Sequence, residues 1–360
     1  MPRSFYNNTP VLITGGLGFI GSNLAIRLAG LGASVTVIDS SVPGCGANPY
    51  NLHPVRDRIR QIDADIAGIA AHANAIADCR VVFNLAGEIS HIHSMQFPER
   101  DMQINAVSQL QFLSALREIL PGVRVVYAGT RQVYGIPEYL PASESHPINP
   151  VDFNGVHKYA AAMYHSLYTK SGDLDATVLR LTNVYGPRMS LDVPCQGFLS
   201  TFFRRVLLGL DLEIYGDGNQ LRDPVHVDDA VDAFLLAGQM VTDRPAAVPP
   251  RIFNAGGPEP LRIREIADTL AADMGCSTRF KPFPDDRKQI DIGSYYTDSS
   301  RIADYLGWHP KIRFAEGAKT TLDFYRAHAE NYFDTAIPHP ECTMPEHKGA
   351  IGRLRYAEHK

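Results

Sequence analysis

The 360-residue chain has only five cysteines, and none of them forms a Cys-x-x-Cys pair. Cys45, Cys79, Cys195, Cys276 and Cys342 are scattered along it, which excludes a disulfide framework and points to free thiols in a reducing compartment. Positive charge is also in short supply: 34 Lys and Arg stand against 39 Asp and Glu, a formal net charge of -5. A nucleic-acid backbone is bound by a basic surface, so nucleic acid is not an expected partner. No apolar run reaches the ~18 residues of a membrane span. Met1-Pro2-Arg3-Ser4 leads into polar Asn7-Asn8-Thr9 without the apolar stretch of a secretory signal. A cytoplasmic protein with no membrane partner is expected. His339, Cys342 and His347 could be grouped as ligands, but their spacing fits no zinc pattern and no metal is expected. Internal repeats and low-complexity tracts are missing too.

What the chain does contain is the makeup of a soluble globular protein of one large or two modest domains, with 45% apolar and 20% charged residues. Between residues 11 and 187, β-branched apolar runs alternate with helical patterns: Val11–Ile13, Val35–Ile38, Ile59–Ile62, Val81–Leu85, Val123–Ala128 and Thr177–Leu181. This alternation predicts right-handed βαβ units and an α/β fold, a doubly wound parallel sheet of Rossmann type. Ligands of such sheets sit at the carboxyl ends of the strands. Beyond Tyr185-Gly186-Pro187 the pattern becomes less regular. Helices are expected at Gly197–Leu208, Asp229–Gly238, Ile263–Met274 and Phe314–Ala327, with a strand at Leu212–Tyr215. Residues 1–187 therefore read as the sheet domain and 188–330 as a smaller C-terminal α/β substrate domain, with the strand near 251–257 returning to the first. Residues 331–360 read as a tail.

The run Thr14-Gly15-Gly16-Leu17-Gly18-Phe19-Ile20-Gly21 follows the first apolar strand and opens a helix. Glycines here suit a dinucleotide: Gly15 for the tight turn, Gly18 for backbone approach to a pyrophosphate, and Gly21 for close helix–strand packing. A second strand ends in Asp39, where a carboxylate can accept hydrogen bonds from a ribose and would repel the 2′-phosphate of NADP. NAD is the expected cofactor.

With Asp65-Ile66, Asn84-Leu85-Ala86-Gly87, Asn105, Tyr127–Gly135, Lys158, Arg180–Arg188 and Tyr215–Asp229, these motifs follow one another in a fixed order. The chain so resembles the extended short-chain dehydrogenase/reductases of the nucleotide-sugar epimerase and dehydratase superfamily, over residues 10 to about 328. The resemblance implies that Asp65 and Ile66 hold the adenine, that Leu85, Ala86 and Gly87 line the path to the pyrophosphate, and that Asn105 buttresses the strand ends. It implies Thr130 as the catalytic hydroxyl and Lys158 as the lysine that lowers a tyrosine pKa and binds the nicotinamide ribose. It assigns Asn183 and Arg222 to the substrate diphosphate, Arg287 or Lys288 to a second cation, and Tyr215 to the nucleoside base. It also implies a homodimer through helices near Gln103–Leu120 and Asn154–Lys170, for which Leu110, Leu113 and Leu116 form an apolar stripe that could equally face the sheet.

Two departures matter. The position four residues before Lys158, where the superfamily has its tyrosine, is Asn154, which has no titratable proton and cannot be the base. Glu88, His91, Tyr134 and His157 are alternative bases, and the substrate could supply its own. Thr130 is followed by Arg131-Gln132 where 4,6-dehydratases carry Asp-Glu, which disfavours elimination of water, although Glu88 could serve an unusual one. Arg131 could meet an anionic substrate group. The expected function is an NAD-dependent nucleotide-diphosphate-sugar epimerase acting through a transient keto sugar. A dehydratase or oxidoreductase on such a sugar is the alternative, and a catalytically silent NAD-binding sensor or partner protein is the alternative of another class.

Overall fold

The computed structural model describes residues 2–192, 197–240, 251–284 and 290–333. Arg287 and the tail beyond Phe333, with His339, Cys342 and His347, lie outside the described residues. The main sheet is parallel and seven-stranded: β1 (Pro10–Thr14), β2 (Ser34–Asp39), β3 (Arg60–Asp63), β4 (Val81–Asn84), β5 (Arg124–Thr130), β6 (Asp175–Leu181) and β7 (Ile252–Ala255). They lie in the order β7-β6-β5-β4-β1-β2-β3. Chain direction across the sheet reverses between β1 and β4, so a crevice opens beyond their carboxyl ends.

Alternation along each strand sends side chains to two cores. Val11 and Ile13 face one side, with Leu24, Leu28, Phe234 and Leu235 from the helices Phe19–Gly30 and Val227–Gln239. Leu12 faces the other, where Phe112, Leu113 and Leu116 of the helix Ser108–Ile119 cover it. Of the expected apolar stripe, Leu113 and Leu116 are therefore core residues packed on the sheet, while Leu110 is exposed. For those two leucines the second of the two expected readings holds, since they are buried within the subunit. The strand β7 joins from far along the chain, pairing parallel with β6 from Ile252↔Val178 to Ala255↔Leu181.

The remaining elements enclose a separate core of Phe202, Phe203, Leu212, Ile214, Ile266 and Leu270, capped by Phe314, Leu322 and Tyr325. Here Leu212–Tyr215 pairs with Thr278–Lys281, between the helices Phe198–Leu207, Ile263–Met274 and Phe314–His328. Trp308 packs into the first core and donates its indole N–H to the Asp229 carbonyl at 2.9 Å.

Candidate active site

The crevice begins at the turn after β1. Gly15 has φ +68°, and a Cβ there would sit 2.8 Å from the backbone of Leu85, so only glycine lets the two strand ends close up. A Cβ on Gly21 would run into the Gly15 carbonyl oxygen. Gly18 caps the helix Phe19–Gly30 in extended backbone, leaving the first N–H groups of Phe19, Ile20 and Gly21 at the cleft wall. Asp39 at the end of β2 accepts from the N–H groups of Leu17 and Ser41, each at 2.9 Å. Burial raises its carboxyl above the usual range despite these bonds. Asp65 and Ile66 line the same end, Asp65 capping its turn through the Ala67 N–H at 2.8 Å.

Leu85, Ala86 and Gly87 form the wall beyond β4. A Cβ on Gly87 would lie 2.6 Å from Asn105 Oδ1 and 2.9 Å from Lys158 Nζ, so this glycine leaves room for both side chains. Asn105 itself is buried and pins the backbone of Glu88, accepting from its N–H and donating to its carbonyl at 3.1 Å. The opposite wall holds Thr130 at the end of β5, then Arg131 and Gln132, and Asn183. The Asn183 Oδ1 is buried with no hydrogen-bond partner among the described residues, a polar atom left for a ligand.

Lys158 lines the cleft from the helix Phe153–Lys170, and burial pushes its ammonium down to about 8. Asp152 caps that helix, accepting from the Gly155 N–H at 2.7 Å with one oxygen and meeting His91 Nδ1 at 2.5 Å with the other. Burial works against the charge of Asp152, but the bonds from His91 and Gly155 outweigh it and hold the carboxyl below its usual range. Two more buried carboxylates below the cleft have histidine partners. Asp101 meets His157 at 2.7 Å, and Glu88 meets His93 and Arg100, each at 3.5 Å.

The chain matches the model of the NAD dependent epimerase/dehydratase family over residues 11–256. It is similar to the UDP-glucose 4-epimerase of Mycolicibacterium smegmatis, 34% identical over 324 residues, which cover 88% of this chain and 98% of that one. The chain belongs to the NAD-dependent epimerase/dehydratase family. Solved relatives share the fold. The UDP-glucose 4-epimerase of Thermotoga maritima, with UDP-glucose, is 28% identical with a TM-score of 0.79, covering 89% of this chain and 100% of that one. The dTDP-glucose 4,6-dehydratase of Streptomyces venezuelae, with NAD bound, is 27% identical with a TM-score of 0.78, covering 89% and 98%.

The cofactor of the epimerase/dehydratase family is NAD, and the residues here fit it. The cradle at Gly15 and Gly21 admits a pyrophosphate and no side chain, and Asp39 closes its far end. Several residues singled out in the sequence stand away from the cleft wall, Asn154, Glu88, Arg222 and Tyr215 among them. Asn154 is fully buried, its Nδ2 donating to the Glu88 carbonyl at 2.9 Å and to Asp101 Oδ2 at 2.8 Å. Glu88 is buried beneath the wall. Arg222 donates Nη1 to the carbonyls of Leu221 (2.7 Å) and Gly293 (2.5 Å), and burial together with the nearby Arg131 charge pushes it down to about 10. Tyr215 sits beside Phe283, ring centres 6.1 Å apart. Arg131 stacks on Tyr295, its guanidinium 5.1 Å from the ring centre. Sequence reasoning missed Asp152 altogether. An acidic N-cap just before a helix was its signal, but its histidine partner lies 61 residues away.

Proposed function

We propose that the protein is an NAD-dependent epimerase of a nucleoside-diphosphate sugar, acting through a transient keto sugar held in the cleft. The turn after β5 carries this reading: Thr130 is followed into the cleft by Arg131 and Gln132. Eliminating water from a sugar needs a proton donor and acceptor beside the ring, and a guanidinium and a carboxamide are neither. Glu88 is held by His93 and Arg100 below the wall, which counts against a dehydratase that would use it. Bound NAD supplies a reversible acceptor for one hydrogen and two electrons from a sugar carbon.

In this reading Lys158 grips the ribose next to the nicotinamide, and Thr130 hydrogen-bonds the reacting hydroxyl. Asn154 orients the substrate only indirectly, by fixing the Glu88 backbone and Asp101. Asn183 binds the diphosphate at the cleft wall, and the nucleotide end of the substrate extends beyond that wall toward Arg222 and Tyr215. Arg131 meets an anionic or strongly polar group of the sugar nucleotide. The exposed Leu110, Val156 and Leu167 on two helices that pack together support a homodimer.

The decisive experiment incubates the NAD-loaded protein with UDP-glucose and dTDP-glucose in deuterated water. Inversion at one ring carbon without deuterium in the product is expected, because the hydrogen removed is the hydrogen returned. A product that has lost water would make the enzyme a dehydratase. Tight NAD binding with no turnover of any nucleotide sugar would make it a cofactor-binding protein of another kind.

A further inference from the structure

Oxidation of a sugar hydroxyl requires a group that takes its proton, and position 154 has none to offer. Other candidates are committed elsewhere. Tyr134 is fully buried, donating to Asn254 Oδ1 at 2.6 Å, and His157 is bonded to Asp101 below the cleft. Asp39 and Asp65 line the cleft where β2 ends, with β4 and β1 between them and Thr130 on β5, and Cys45 accepts a hydrogen bond from Arg100 at 3.8 Å while burial pushes its thiol up to about 11. His91 differs from all of these. It lines the cleft with Thr130 and Lys158, its side chain is 35% exposed, and its Nδ1 is fixed by a carboxylate that is 1% exposed.

We propose that His91, oriented by Asp152, is the general base that replaces the missing tyrosine. The assignment rests on the nucleotide-sugar reading above and adds the identity of its proton acceptor. With Nδ1–H donated to Asp152, the imidazole presents Nε2 as an acceptor, the arrangement of a histidine–aspartate pair in acyl transfer. Gln132 supplies the link to the reacting position. Its carboxamide nitrogen touches the imidazole edge, and its oxygen accepts from Thr130 Oγ1 at 3.2 Å. A sugar hydroxyl beside Thr130 takes the place of that carboxamide at Nε2. The O–H bond then breaks, its proton going to Nε2 and its electron pair to the new C=O bond, while the C–H hydrogen leaves with two electrons for the cofactor. Return of the hydrogen to the other face reverses each transfer and gives back the neutral imidazole. The charged groups around the ring are Asp152 from the helix start and Arg131 from the turn after β5, with Lys158 across the same cleft.

The test compares the full-length protein with His91→Gln and Asp152→Asn, using UDP-glucose and dTDP-glucose. His91→Gln is expected to lose about 10²–10⁴-fold in kcat while the NAD dissociation constant, read by calorimetry, stays within about a factor of two. The acid limb of the kcat pH profile should vanish from its residual rate, which a purely structural role would not cause. Asp152→Asn keeps the helix cap and removes the charge behind the imidazole, so it should fall between the two. In the unliganded wild type, nitrogen NMR should find the neutral ring protonated at Nδ1. His91→Gln retaining more than about a tenth of the wild-type kcat, or a ring protonated at Nε2, overturns the assignment alone. A wild type that turns over no member of a panel of nucleotide sugars overturns the functional reading and this base with it.

Discussion

At the scale of single residues, Lys158 makes opposite demands on binding and folding. Burial pushes its ammonium from 10.5 down to about 8, so above pH 8 the folded protein loses a proton that an exposed lysine would keep. If the ammonium grips the cofactor, NAD affinity measured by calorimetry should be flat below about pH 8 and fall above it. Stability should move the other way. A lowered lysine pKa is a cost that is fully present below the folded value and relieved as pH rises toward 10.5. Urea midpoints of the unliganded protein, compared with Lys158→Met, should therefore converge between pH 8 and 10.5. The glycines were legible in the sequence because they directly follow a strand, and Thr130 and Lys158 because they fill positions in the motifs that the chain shares with the family it resembles. The His91–Asp152 pair was not, since neither residue falls in a spaced motif and only folding brings 61 residues of separation to 2.5 Å.

Among the elements, the helix Phe153–Lys170 has the most to lose at its first turn. Asp152→Ala removes the acceptor of the Gly155 N–H and should cost about 0.5–2 kcal/mol in urea unfolding, whereas Asn is a comparable cap and should cost little. Because the Asp152 carboxyl is held below 3.8, its stabilisation is complete above that value and lost as pH falls through the folded pKa. The wild type should thus lose its advantage over Asp152→Asn in acid. Strands were the most readable elements. Runs such as Val11-Leu12-Ile13 are buried on both faces, and the segment Ile252-Phe253-Asn254-Ala255 announced its return to the sheet in the same way. The π-turn at Gln103–Val107, which carries Asn105, left no such trace, because its residues read as ordinary helix and only the hydrogen bonds to Glu88 mark it out.

For the molecule as a whole, Leu110 (41% exposed), Val156 (46%) and Leu167 (60%) leave apolar side chains in solvent on two helices that pack together, which raises the question of what covers them. A second copy is the proposed answer, and Leu167→Glu should shift sedimentation from dimer to monomer with the thermal midpoint of the subunit core little changed. Sedimentation as a monomer by the wild type would remove the dimer. Leu113→Ala is the contrasting substitution. Its side chain is fully buried in the subunit core, so it should lower stability by about 2–5 kcal/mol whatever the state of association.

The late arrival of β7 also has a consequence for how the chain is made. Until Ile252 emerges, β6 ends the sheet as an open edge, and the residues from Thr182 to Arg251 must be synthesised first. At ordinary elongation rates that leaves an unprotected strand for roughly 4–14 s on the ribosome. A nascent chain with Val178, Leu179 and Leu181 on that edge is a template for pairing with its neighbours. A fragment cut at residue 187 would keep that exposure permanently, and it is expected to associate through the open edge in sedimentation where the full chain does not.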